Sequence, residues 1–159
     1  ALFHANHKNL STAVLGIDGL NAARATMAKQ KDRSAAKATL NIRPAFLLTP
    51  VVLEGSALQL MNSTAEPGQA NPNVANRVSK MAQVISEARL DEASATAWYL
   101  LAGKNRDTVE VQYLNGQRQP TIERDMPFLL DGVQFKVRID YGVKGLAWET
   151  MHKSTGAGG

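Results

Sequence analysis

The chain has 159 residues, 44% of them apolar and 6% aromatic, with a formal net charge of +4. That is enough for one domain with a core or two small lobes, and it gives no sign of overall disorder. The absence of cysteine excludes a disulfide scaffold and any thiolate metal or redox site, and the charge falls far short of a dedicated DNA reader.

No apolar run approaches the ~20 residues that span a bilayer. The N-terminus, Ala1-Leu2-Phe3-His4, has no basic region followed by an apolar stretch and no initiating Met. It is read as the start of a piece of a longer polypeptide, made in a reducing cytoplasm.

Ile17, Leu20, Ala23 and Met27 fall on one helical stripe, which predicts a helix over 17–30. Asp18 in its first turn and Lys29 and Lys31 at its end suit the helix macrodipole. A hydrophilic loop over 31–39 follows. Ile42 to Leu48 is a short apolar run, read as a buried strand. Thr49-Pro50 then offers an N-cap and a first-turn proline. Leu53, Ala57, Leu60 and Met61 carry a second helix to Asn62, weakened by Gly55. Residues 63–76 hold Ser63, Pro67, Gly68, Asn71-Pro72 and Asn73, which break regular structure. A loop of that length is usually functional or mobile.

The remainder reads as strands. A weak alternation spans 81–90, and Trp98 to Ala102 is short and apolar. After a turn over 103–107, Val109, Val111 and Tyr113 alternate cleanly, and Asn115-Gly116 ends that strand. Pro120 marks the following segment as an edge or loop. From Val133 to Tyr141 every odd position is apolar and every even position polar. Such a period-two strand turns one face to a core and the other to water or a neighbour. Asp131-Gly132 before it favours a two-residue hairpin turn. A last strand is expected near 144–151, and 154–159 as a frayed tail.

The chemistry-bearing residues point away from catalysis. His4 and His7 are three apart, but a zinc site needs further ligands and none lies nearby. Ser56 lacks the trailing glycine of a nucleophile elbow, and no phosphate-cradling Gly-Lys-Ser/Thr occurs. His152 is the only histidine deep in the chain. Glu54, Glu66, Glu87 and Glu110 form no evident pair. Lys29, Lys31, Arg33 and Lys37 cluster about the first loop, opposed only by Asp32. They suit either a phosphate or acidic neighbour or, more simply, a solvated helix end. Arg118 and Arg124 decorate the strands, and Lys136, Arg138 and Asp140 share the polar face of the long strand. In a monomer these are solvated; in an assembly they would form intersubunit ion pairs.

Several segments, in this order and spacing, resemble the C-terminal part of Mu-like or prophage major capsid proteins. They are Phe3 to Leu10, Asn41 to Leu48, Leu53-Glu54-Gly55, Ala97 to Leu100, Val109 to Gly116 and Lys136 to Gly142. One departure stands at Glu149-Thr150, where the family tends to carry Arg-Gly, and it leaves the detail of the last strand open. In such proteins the capsid portion often follows a Clp-type protease on the same polypeptide.

The resemblance implies an α+β chain with the Hong Kong 97-type coat fold. The chain would supply much of the axial lobe and part of the peripheral lobe, without the N-terminal arm and extended loop. The capsid fragment would span 1–153: α-rich over 1–62, a variable loop over 63–76 and β-rich over 77–153. Copies would assemble as pentamers and hexamers of an icosahedral virion shell around double-stranded DNA, with no cofactor, metal, membrane or small-molecule substrate. Candidate assembly contacts are Lys29, Lys31, Arg33, Lys37, Glu66, Lys136, Arg138 and Asp140. The competing reading is a head-completion or other interaction protein that forms no shell; an enzyme is the third, and no convergent cluster favours it.

Overall fold

Ile17, Leu20, Ala23 and Met27, the predicted stripe, are the buried residues of helix α1 (Ile17–Ala28). The computed structural model describes residues 1–71, 73–128 and 131–158. In chain order the strands are β1 (Leu10–Ser11), β2 (Pro44–Thr49), β3 (Gln83–Ser86), β4 (Trp98–Ala102), β5 (Val109–Tyr113), β6 (Thr121–Asp125), β7 (Gln134–Arg138), β8 (Tyr141–Gly145) and β9 (Met151–Ser154). Helices α2 (Glu54–Asn62) and α3 (Arg89–Ala93) complete the regular elements, with four 3-10 turns.

The chain divides into two units, Ala1–Thr108 with Ala147–Gly159, and Val109–Leu146. The first is an α+β unit built on one mixed sheet in the order β1-β9-β4-β2-β3. Alternation along β4 buries Trp98, Leu100 and Ala102. These pack with Leu47 of β2, the α1 stripe, and Ala57, Leu60 and Met61 of α2. Gly19 lets α1 approach closely: a Cβ there would lie 2.6 Å from the Val14 carbonyl oxygen. The Trp98 indole donates to the Ala13 carbonyl at 3.0 Å, so the largest core side chain leaves no polar atom unpaired.

Several expectations are corrected here. Thr49 does not cap α2: it ends β2, and its buried hydroxyl has no partner among the described residues. A 3-10 turn over Val51–Leu53 precedes α2, and Asp91 of α3 accepts from the Val51 N–H at 2.9 Å. The cap therefore comes from a residue 40 positions away. The weak alternation over 81–90 resolves into β3 and the start of α3.

The loop over 63–76 is more organised than its composition suggests. The Glu66 N–H donates to Val74 O at 2.8 Å and the Asn76 N–H to Thr64 O at 2.9 Å. Buried Asn76 donates through Nδ2 to the carbonyls of Leu60 and Ser63 and accepts from the Val78 N–H. The neck of the loop is thus clamped while Gly68 to Asn71 stay exposed. Asn76→Ala would orphan two carbonyls and an amide; a loss of about 2 kcal/mol is expected in denaturant unfolding.

Residues 154–158 are held, not frayed. Ser154 is buried in β9 and donates to the Ala13 carbonyl. Beyond it, the Thr155 N–H donates to Ser11 O and the Gly158 N–H to Thr12 O, both at 2.9 Å. These bonds continue the parallel pairing of β9 with β1. Pro72 and Gly159, placed by sequence in the loop and tail, lie outside the described residues.

The second unit is all β. β5 pairs with β8, and β6 with β7, both antiparallel. The pairs are nested, so the Asn115-Gly116 turn does not join β5 to β6 as a hairpin. It does adopt the positive φ expected of it, 54° and 72°. The chain from β6 to β7 crosses 126–133, so Asp131-Gly132 does not form a two-residue turn; Leu129 and Leu130 lie outside the described residues.

Candidate assembly surface

In an antiparallel pair, directly opposed residues share a face. In the β6–β7 ribbon, Ile122 opposes Val137 and Arg124 opposes Phe135. The other face carries Thr121 opposite Arg138, Glu123 opposite Lys136 and Asp125 opposite Gln134. In the β5–β8 ribbon, Val111 opposes Val143 and Tyr113 opposes Tyr141, while Glu110 and Lys144 oppose each other behind them. Each ribbon is therefore amphipathic, as the alternation predicts.

The expected core is missing. Ile122 and Phe135 are each 67% exposed, Val137 63%, Val143 59% and Val111 47%. No described residue of this unit is buried. The period-two pattern is real, but within its own unit neither face of it is buried. A two-stranded ribbon with nothing on its apolar face is marginal in water, and contiguous exposed apolar surface marks an interaction site.

Much of the polar face is paired internally. Lys136 Nζ donates to Glu123 at 3.0 Å, and Arg138 lies 3.3 Å from Asp140. The hydrogen bond and charge of Lys136 hold the Glu123 carboxyl below its ordinary range. The unit is also electroneutral: Arg118, Arg124, Lys136, Arg138 and Lys144 are matched by Glu110, Glu123, Asp125, Asp131 and Asp140. The excess positive charge of the chain lies elsewhere.

That excess is partly spent in the first unit. Arg33 is not a free cation: its Nε and Nη2 reach the two carboxylate oxygens of Glu149 at 2.6 and 2.9 Å. Burial alone would raise the Glu149 carboxyl, but Arg33, the local backbone and nearby His7 outweigh it and hold the group below its usual range. His7 stacks on Trp148 at 4.3 Å, and Arg33 lies 5.9 Å from the same ring. Asp32, expected to oppose the lysines, instead accepts from the Ser34 and Ala38 amides and folds the loop. Lys31 donates to Thr39, while Lys29 and Lys37 have no side-chain partner among the described residues. Glu66 sits 3.8 Å from Arg77, which also pairs with Asp18.

Removing Arg33 would leave a carboxylate only 5% exposed without its partner. Arg33→Ala is expected to cost about 2–3 kcal/mol, reduced from the full buried-pair cost because the arginine is itself solvated. Arg33→Ala combined with Glu149→Gln should recover much of that loss in denaturant titrations; additive losses would count against the pairing.

One further side-chain pairing, between a serine and a histidine, lies apart from these contacts. Among the described residues no group of three or more His, Asp or Glu side chains is placed to hold a metal. Ser11 Oγ and His152 Nε2 are 3.0 Å apart, a pairing the sequence could not reveal across 141 positions. Burial lowers the His152 pKa to about 4, and its Nδ1 has no partner among the described residues to orient the ring. A nucleophile–base pair needs that third group and access to substrate.

A family profile described as phage capsid protein matches residues 2–154. The chain belongs to the phage capsid protein family. No curated protein matches the chain significantly. A coat chain is a structural subunit that works by contacting copies of itself, and its place is the virion capsid. The mixed α and β composition of the coat chain agrees with that membership.

Proposed function

We propose that this coat chain is the C-terminal part of a Mu-like or prophage major capsid subunit with the Hong Kong 97-type fold. Copies form pentamers and hexamers that close an icosahedral head around double-stranded DNA. The parent polypeptide is made in the bacterial cytoplasm and carries a Clp-type protease upstream. The capsid fragment spans 1–153, with 63–76 as its variable loop. The observation that carries this reading is the electroneutral, amphipathic β-ribbon pair whose apolar faces no part of its own unit covers. A surface of that kind suits repeated protein contact better than nucleic acid, which selects cationic grooves. Closure and multivalency make a stable shell from weak single contacts.

Lys29, Lys31 and Lys37 are the cations left for a neighbour or for packaged DNA, and Glu66 and the clamped loop form a further contact near the capsomer axis. Arg33, Lys136, Arg138 and Asp140 act there through their intrachain pairs. Deleting 65–72 should reduce capsomer yield while the remainder folds; unchanged capsomers and shells would remove the loop from this role.

The test is negative-stain electron microscopy of the full-length polypeptide expressed with its protease intact. Uniform closed particles or capsomer rings support the coat assignment. Small discrete particles alone would favour a head-completion or other interaction role.

A further inference from the structure

We infer that the two ribbons of Val109–Leu146 are the two halves of one heterologous contact: the apolar face of β6–β7 in one copy seats on the apolar face of β5–β8 in the next. The inference rests on the coat reading above and names the surface and partner. Neither ribbon covers the other within a chain, since Ile122, Val137, Val111 and Val143 all remain 47–67% exposed. Each copy therefore carries two different open apolar faces. A self-complementary contact between identical faces makes a dimer and stops, whereas a contact between two different patches repeats, and it closes into a ring when the rotation between copies divides a full turn.

The two faces are complementary in chemistry. Arg124 stands on the apolar face of β6–β7 opposite Phe135 and has no hydrogen-bond or ion-pair partner among the described residues. The receiving face ends in Tyr113 and Tyr141, whose ring centroids are 6.2 Å apart. Beside those tyrosines lies an open depression of about 630 Å³, also bordered by Arg138 and Asp140. An arginine and a phenylalanine from a neighbour suit it, the guanidinium over a tyrosine face and the ring against apolar surface. The electroneutrality of the unit means that no net repulsion opposes stacking copies. Strands stacked face to face at ~10 Å would give each ribbon the second layer it lacks.

The absence of cysteine from this chain makes the contact directly testable. Val111→Cys and Val137→Cys are placed singly and together in the full-length coat polypeptide, freed of any other cysteine. Both sites are exposed, so folding should be retained, and circular dichroism checks it. Assembled material is oxidised, run without reductant and viewed by electron microscopy. The double variant should give a ladder ending at five or six copies, and a mixture of the two single variants should give dimers. Dimers from either single variant alone would replace the heterologous contact with an isologous one. Intact shells without any crosslink would overturn the ribbon contact and leave the coat function standing. Absence of shells and rings, with the protein folded, would overturn the coat reading and this inference with it. Independently, Ile122→Ser with Val137→Ser should weaken association roughly a hundredfold with unchanged thermal unfolding of the dissociated chain; unaltered association would sink the assignment.

Discussion

Replacing Gly156 with alanine is expected to destabilise the first unit by more than about 3 kcal/mol, enough to threaten folding of a marginally stable domain. Gly156 has φ +66°, a left-handed conformation that a side chain resists. The conformational cost alone is roughly 1–2 kcal/mol. The greater cost is steric: a Cβ at this position would overlap the Thr96 carbonyl oxygen. That oxygen belongs to the backbone and cannot swing aside. Any escape would pull Thr155 from Thr96, whose hydroxyl donates to the Thr155 carbonyl at 2.9 Å, and would loosen the pairing with Ser11. Gly158 provides the control. Its φ is +69°, yet its Cβ would meet only a Val14 methyl at 3.7 Å. Gly158→Ala should therefore cost only the conformational penalty, about 1–2 kcal/mol. Equal effects of the two substitutions in urea unfolding would show that the Thr96 clash is relieved cheaply.

Acidification provides the second large effect. His152 is 3% exposed in β9, and burial lowers its pKa from 6.5 to about 4. Above pH 6.5 both folded and unfolded chains hold it neutral, so it adds no pH dependence. Between 6.5 and about 4 the unfolded chain binds a proton that the folded chain refuses. Stability from this group then falls as pH falls, by about 1.4 kcal/mol per unit, to a total near 3 kcal/mol. Below about pH 4 both states are protonated and the slope from His152 vanishes. His152→Gln keeps polar atoms near Ser11 and should remove most of the slope between pH 6.5 and 5, above the range where the Glu149 and Glu123 carboxyls contribute. A variant whose stability declines as steeply as the parent from pH 6.5 to 5 would show that other groups carry the acid sensitivity.

The same residue shows what a linear reading misses. In the sequence His152 is only a histidine near the C-terminus. Its environment comes from Ser11, which parallel pairing of β1 with β9 brings alongside. Glu149 is a similar case. Seen in sequence it is a departure from the family pattern; in the fold it receives both prongs of Arg33, 116 positions away. Buried Asn9 likewise draws together the Leu2 and Trp148 carbonyls through its side-chain amide. No short-range pattern marks an asparagine for that role.

Local elements are more legible. The α1 stripe, the apolar β4 segment, the Asn115-Gly116 turn and the alternation through Val133 to Tyr141 follow from spacing, because helix and strand periods are properties of the backbone itself. The long alternating run divides at 139–140 into β7 and β8 while keeping its apolar residues in odd register. Helix α3 leaves no such mark because five residues give no measurable period.

By itself the sequence determined that this protein alternates helix and strand periods, carries an amphipathic β segment near its end and resembles a coat chain. The tertiary structure alone decided which strands pair and where charges are spent. It also decided that the apolar face of the alternating segment remains open. The physical reason is range. Periodicity reports which face of an element is apolar, but whether that face meets a core or a neighbour depends on elements brought together by long-range packing.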